Sequence, residues 1–268
     1  MACRRARMAA EVIQDVAPAT AEEKLATVFD DETRLLFGVD SKKRATTMLQ
    51  NNIDLFEWVV RNKVYPSFWG RNITGENSLT VEEIEYLHKK ACKIAAIYNS
   101  ESDKVLEEAG LSDGKRAIEI AKEIGIEDGA AIFLEVGESE ALTWMYMNGF
   151  ASNLIDAGYT PGFKADTDAK YIFDREYSRG VQNSGEVFSK CIVWAVSPSL
   201  PEFNRVKTTH FVHPDKWGPY APSGIMRKEV AVWQYGKECH PIYDENDTEV
   251  TFNVDLLRNR FVYVEKMF

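Results

Sequence analysis

A chain of 268 residues, 45% hydrophobic and 28% charged, is long enough for one large domain with a substantial core. Its net charge of −10 excludes a broad grip on nucleic acid, which needs clustered Lys and Arg, and argues against docking on anionic lipid. No run approaches the length of a membrane span.

The first 34 residues read as a helical preface to the rest. In "ATAEEKLATVFDDETRLLF", Leu25, Val28, Phe29, Leu35 and Leu36 recur at helical spacing among acids. The opening "MACRRARMAAEVIQDVAP" is basic, but its apolar stretch breaks at Gln14 and Asp15, too early for a secretory core. The chain as given is therefore read as cytoplasmic, and residues 1–34 as a candidate surface for a protein partner.

From residue 35 on, strand-like runs alternate with helix-like ones. Strands are predicted at 35–40, 65–72, 93–99, 130–136, 160–166, 190–197 and 229–236, with a further extended segment, "EVTFNVDLL", near the end. Between them, residues 46–62 place Met48, Leu49, Ile53, Phe56, Val59 and Val60 at helical spacing. "LTVEEIEYLHKKA" has Thr80 and Glu83 in capping-box positions. "SDGKRAIEIAKEIGI" predicts a helix from a Ser/Asp/Gly turn to Gly125, and "EALTWMYMNGFASNLIDAGY" another that stops at Gly158.

Apolar strands alternating with helices imply a parallel sheet covered by helices. No G-x-G-x-x-G or G-x-x-x-x-G-K-[ST] phosphate loop is present. That favours a single TIM-like (β/α) barrel over residues 35–268, with irregular last strands. Four scattered cysteines without C-x-x-C read as free thiols. His210, His213, Cys239 and His240 have no metal-ligand spacing, so neither a metal nor an organic cofactor is expected.

Barrel chemistry sits at the C-terminal strand ends. There the chain carries Asp40, Arg71, Tyr98, Glu135, Asp166, Trp194, Trp233, Gln234 and Tyr235. Carboxylates, amides, one Arg and aromatics suit a sugar site. Side chains alternate faces along a strand. By that parity Asp40 and Glu135 are the candidate catalytic pair, one carboxyl acting as acid. Arg71, Tyr98, Asp166, Trp194, Trp233, Gln234 and Tyr235 are candidate substrate contacts. Each has a plainer reading: Asp40 as a helix cap, Glu135 as the ion-pair partner of Arg71 or Lys164, the aromatics as core.

Several stretches resemble a known family. "FGVD" is similar to the Asp-bearing first strand of the lysozyme-like muramidase barrels. "YPSFWGRNITG", "LTVEEIEYLHKKACKIAAIYN", "GKRAIEIAKEIGI", "AIFLEV", "AGYTPGFKAD", "IVWAVS", "VAVWQYGKE" and "NVDLL" resemble, in order, a sister family of glycoside-hydrolase-like barrels of unknown function. The resemblance implies a β/α barrel and a glycan ligand, cell-wall peptidoglycan above all. It matches Asp40, Arg71, Trp233, Gln234, Tyr235 and Asp255 to family positions. Strand 4 departs from the pattern. Where the muramidases carry Asp-x-Glu, this chain has Glu135-Val136-Gly137, with glycine at the acid's position. Either Glu135 acts from one pleat lower, or Glu138 swings in, or the site binds glycan without cleaving it. A catalytically inactive barrel serving as a glycan- or protein-binding module is the alternative function.

Overall fold

The computed structural model describes residues 35–49, 52–61, 65–137, 141–200, 205–206, 214, 216–241, 250–258 and 262–268. The helical preface expected at 1–34 lies outside them, as do Glu138, His210 and His213.

Among the described residues there are nine strands: β1 (Leu36–Ser41), β2 (Phe68–Asn72), β3 (Lys93–Tyr98), β4 (Ala131–Val136), β5 (Thr160–Asp166), β6 (Ile192–Val196), the two-residue β7 (Arg205–Val206), β8 (Val230–Pro241) and β9 (Phe252–Leu257). β1 to β6 pair in sequence order, all parallel. β8 joins β6 in parallel, and β9 runs antiparallel between β8 and β1. Eight strands thus close into a barrel, while β7 pairs only with the far end of β8. The expected TIM-like architecture is present. The "NVDLL" segment, read only as extended, is the eighth stave. An antiparallel stave needs no covering crossover helix between β8 and β9, as a parallel one would.

The helices are α1 (Leu55–Arg61), α2 (Val81–Lys89), α3 (Glu107–Glu123), α4 (Trp144–Asp156), α5 (Ile172–Asn183) and the single turn α6 (Gly185–Phe188). Three expectations are corrected here. The helix over 46–62 forms only from Leu55. Asn52 adopts φ 59°, and Leu49 N donates to the carbonyl of Ile53, so Leu49 is buried by turns while Met48 stays exposed. The capping box on α2 is half made. Thr80 Oγ1 accepts from Glu83 N at 3.3 Å, but the Glu83 carboxylate turns inward to Arg71 and Ala45 N. α3 begins five residues before Ser112, with Asp113 and Gly114 inside it. Asp113 is buried and accepts from the hydroxyls of Tyr98, Tyr146 and Ser100, which removes its reason to stay in a turn.

The lumen is narrow, and glycines make room for rings within it. A Cβ on Gly38 would lie 2.2 Å from the Phe68 ring, and one on Gly162 2.4 Å from the Phe133 ring. Phe68 and Phe133 both meet Trp194 edge-on. This aromatic plug fills the lower barrel and forms the floor beneath the strand ends. The larger apolar core lies outside the sheet, where Trp69, Ile132, Leu134, Phe163, Trp233 and Val254 pack with the helices and loops around it.

Candidate functional site: a polar mouth over a buried charge cluster

Alternation along β5 turns Gly162, Lys164 and Asp166 into the lumen. Register sets Lys164 beside Glu135 of β4 and beside Trp194 of β6. β5 stands four staves from β1 either way around the barrel, so the two face each other. Lys164 spans that gap. Its Nζ donates to Asp40 Oδ1 at 2.7 Å and lies 3.1 Å from Glu135 Oε1. It also sits over the Trp194 ring, 5.0 Å from the centroid. Asn253 Nδ2 donates to the same Asp40 oxygen at 2.9 Å.

Below this pair lies Asp255 of β9, fully buried, with Oδ1 accepting from Trp194 Nε1 at 2.9 Å. Among the described residues neither Asp40 Oδ2 nor Asp255 Oδ2 has a donor. The two carboxyls lie close enough for their charges to act on one another. Two ionised carboxylates so placed repel, which favours the protonated form of the more deeply buried one. Burial first, then the charge of Asp40, pushes the Asp255 carboxyl well above the usual carboxylate range, and the proton resides there. Burial alone would lower Lys164, but Asp40 and Glu135 outweigh it and hold the ammonium charged. Burial also acts to raise Glu135. Lys164, Lys42 and a hydrogen bond from Asn99 pull it down further, and the net is a carboxyl below its usual range. Glu135 is thus an ionised carboxylate, 29% exposed, at the edge of the mouth.

Above the cluster opens a cavity of about 400 Å³. Ser41, Lys42, Asn99, Glu135, Gly137, Lys164, Asp166, Gln234, Lys237 and Asn253 contribute to its wall. The strand ends therefore do converge on one polar site. Asp40 and Glu135 meet there through Lys164, with Asp166 and Gln234 on the wall.

The remaining expected contacts lie elsewhere. Arg71 is fully buried on the outer face of β2. Its Nε donates to Glu83 Oε1 at 2.8 Å, and its Nη atoms donate to the carbonyls of Ser41 and Asn77. Tyr98 donates to Asp113 toward the helices. Trp233 and Tyr235 also face outward, and Trp233 Nε1 donates to the Ser197 carbonyl. Trp194 points inward but is fully buried as part of the floor. None of the five is among the residues that line the cavity, so the structure does not bring them to it. The physical reason is period two: with Gln234 facing the lumen, its neighbours Trp233 and Tyr235 must face away. Lys164 and Asn253 were missed as site residues. Parity with Gly162 and Asp166 was the available signal for Lys164. For Asn253 it required knowing that β9 runs antiparallel.

Fold and site together define a β/α barrel with a buried carboxylate–lysine cluster beneath its mouth. The chain belongs to the Rv2525c-like, glycoside hydrolase-like domain family, whose profile matches residues 63–250. Among solved structures it is similar to an uncharacterized B. stearothermophilus protein. That match has TM-score 0.70 and 24% identity over 87% of this chain and all of that one. It is also similar to the modular autolysin LytC from Streptococcus pneumoniae, solved with a synthetic peptidoglycan ligand. There the TM-score is 0.50 and the identity 11%, over 83% of this chain and 46% of that one. A family GH25 lysozyme from Aspergillus fumigatus aligns with TM-score 0.49 and 12% identity, over 84% and 94% of the two chains. No curated protein matches the chain.

Proposed function

We propose that the barrel mouth binds a cell-wall glycan of the peptidoglycan type and does not hydrolyse it through Asp40 and Glu135. The observation that carries this reading is the Lys164 ammonium held between the two carboxylates. Two-carboxylate hydrolysis needs the scissile bond between the carboxyls, about 5–5.5 Å apart for retention or about 6.5–9.5 Å for inversion, with one of them protonated. Here the gap holds an ammonium in contact with both oxygens. Asp40 is only 4% exposed, and Glu135 holds no proton to give. Gly137 offers no acid at the place where related barrels carry theirs.

Binding remains well served. Asn99, Gln234, Asn253, Ser41 and the ionised Glu135 supply donors and acceptors for hydroxyl and acetamido groups. The likeness to an autolysin solved with a peptidoglycan ligand supports the choice of glycan. Titrating soluble peptidoglycan glycan strands into the protein by calorimetry tests it. Saturable binding is expected, weakened about tenfold or more by Gln234→Ala, since removing one partner of a buried hydrogen bond costs about 1–3 kcal/mol. Absence of binding, or binding indifferent to Gln234→Ala and Glu135→Gln, would overturn the assignment of this mouth.

A further inference from the structure

The polar cavity offers a sugar ring almost nothing to stack on. Among the described residues, the one aromatic on its wall, Phe252, is 1% exposed. Of the two strongly exposed aromatics among the described residues, Tyr65 precedes β2 at the opposite end of the barrel. The other, Tyr220, is 55% exposed and lies at the mouth.

Its position is fixed from both sides. Thr167 Oγ1 donates to the Tyr220 carbonyl at 2.8 Å, and Tyr220 N donates to Ser197 Oγ at 3.3 Å. Thr167 and Ser197 directly follow Asp166 and Val196, which line the cavity at the ends of β5 and β6. The flanking Pro219 and Pro222 are both buried, and their rings restrict the backbone. Ser223 N donates to Asp174 Oδ1 of α5 at 2.6 Å, and Ser223 Oγ to Asp174 Oδ2 at 3.2 Å. Upstream, Trp217 Nε1 donates to the Arg227 carbonyl, and its ring meets Trp233 edge-on. Single exposed apolar residues are ordinary on protein surfaces. What sets Tyr220 apart is an exposed ring on an irregular segment whose backbone is held from both sides, beside a cavity whose described wall residues offer no exposed ring. An amphipathic tyrosine ring on a held backbone presents contact area at little entropic cost.

We propose that Tyr220 forms a second sugar subsite, its ring stacking on the apolar face of one pyranose of a glycan whose neighbouring units occupy the cavity at Glu135 and Gln234. This rests on the glycan-binding reading and extends it: the ligand is an oligosaccharide of several units, bound across the β5–β6 rim.

The test compares wild type, Tyr220→Phe and Tyr220→Ala by NMR titration with the disaccharide and the hexasaccharide of N-acetylglucosamine. Tyr220→Ala should weaken the hexasaccharide by about three- to tenfold and leave the disaccharide within about twofold. Tyr220→Phe should bind both as wild type does. Upfield ring-current shifts of sugar C–H protons are expected with wild type and Tyr220→Phe and absent with Tyr220→Ala. Equal hexasaccharide affinity in wild type and Tyr220→Ala, or equal weakening of both ligands, overturns the subsite while glycan binding stands. No binding of either sugar by wild type removes both.

Discussion

Asp255 is the residue where charge and burial conflict most sharply. It lies under Asp40 and Lys164 with no solvent access, and it resolves the conflict by keeping a proton. A carboxyl raised above its unfolded value, about 3.9, favours the folded state fully only below that value. Its contribution falls as pH rises toward the folded pKa. Glu135 works the other way: held low, it contributes above about pH 4.3, and the contribution is lost as pH falls through its folded pKa. Asp255→Asn copies the protonated acid, its amide donating to Asp40 and its carbonyl accepting from Trp194 Nε1. Denaturant unfolding from pH 4 to 7 should show this variant gaining on wild type as pH rises. Asp40→Asn, which strips Lys164 of its closest partner, should lose about 3–5 kcal/mol. A flat difference between wild type and Asp255→Asn across that range would mean that Asp255 is ionised after all.

At the scale of elements, α3 and α4 approach with backbone nearly touching backbone. A Cβ on Gly110 would lie 2.1 Å from the Tyr146 carbonyl oxygen, and one on Gly149 2.4 Å from that of Glu107. Alanine is the better helix former by about 1 kcal/mol, yet Gly110→Ala must push the helices apart. A net loss of about 1–3 kcal/mol is expected, read by calorimetry as a Tm lower by roughly 2–4 °C per kcal/mol. An unchanged or raised Tm would show that the helices yield freely. The same helices mark how far the sequence could be read. The strands of β1 to β6 and β8 were legible because short apolar runs end at turn residues. The start of α3 was not, because Ser112-Asp113-Gly114 reads as a turn until three hydroxyls from other elements satisfy Asp113. Residues 46–54 carry helical spacing, yet long-range burial of Ala45 and Leu49 is met by turns. Periodicity reports which residues are buried, and tertiary contacts decide the backbone that buries them.

For the whole molecule, closure by the antiparallel β9 brings Asn253 and Asp255 into the lumen beside Asp40. The charge cluster is therefore drawn from Asp40 of β1, Glu135 and Lys164 of β4 and β5, and Asn253 and Asp255 of β9, joined by contacts that no local pattern encodes. Parity put Asp40 and Glu135 on the lumen face, and both meet Lys164 there. It could not show that a lysine from the opposite wall lies between them. The C-terminal residues add a latch at the other end, where Phe268 and Ile94 exchange backbone hydrogen bonds and Lys93 Nζ donates to the carbonyls of Val264 and Met267. The barrel is thus closed and held below, open and polar above, and its carboxylates are neutralised where a hydrolase would use them.

The most direct test is a time course of reducing-end release from soluble peptidoglycan glycan strands, run at concentrations where calorimetry shows the mouth to be saturated. The account predicts no release above the protein-free control. Release by wild type that disappears in Glu135→Gln would contradict it, and would mean that Lys164 leaves the gap when the glycan arrives.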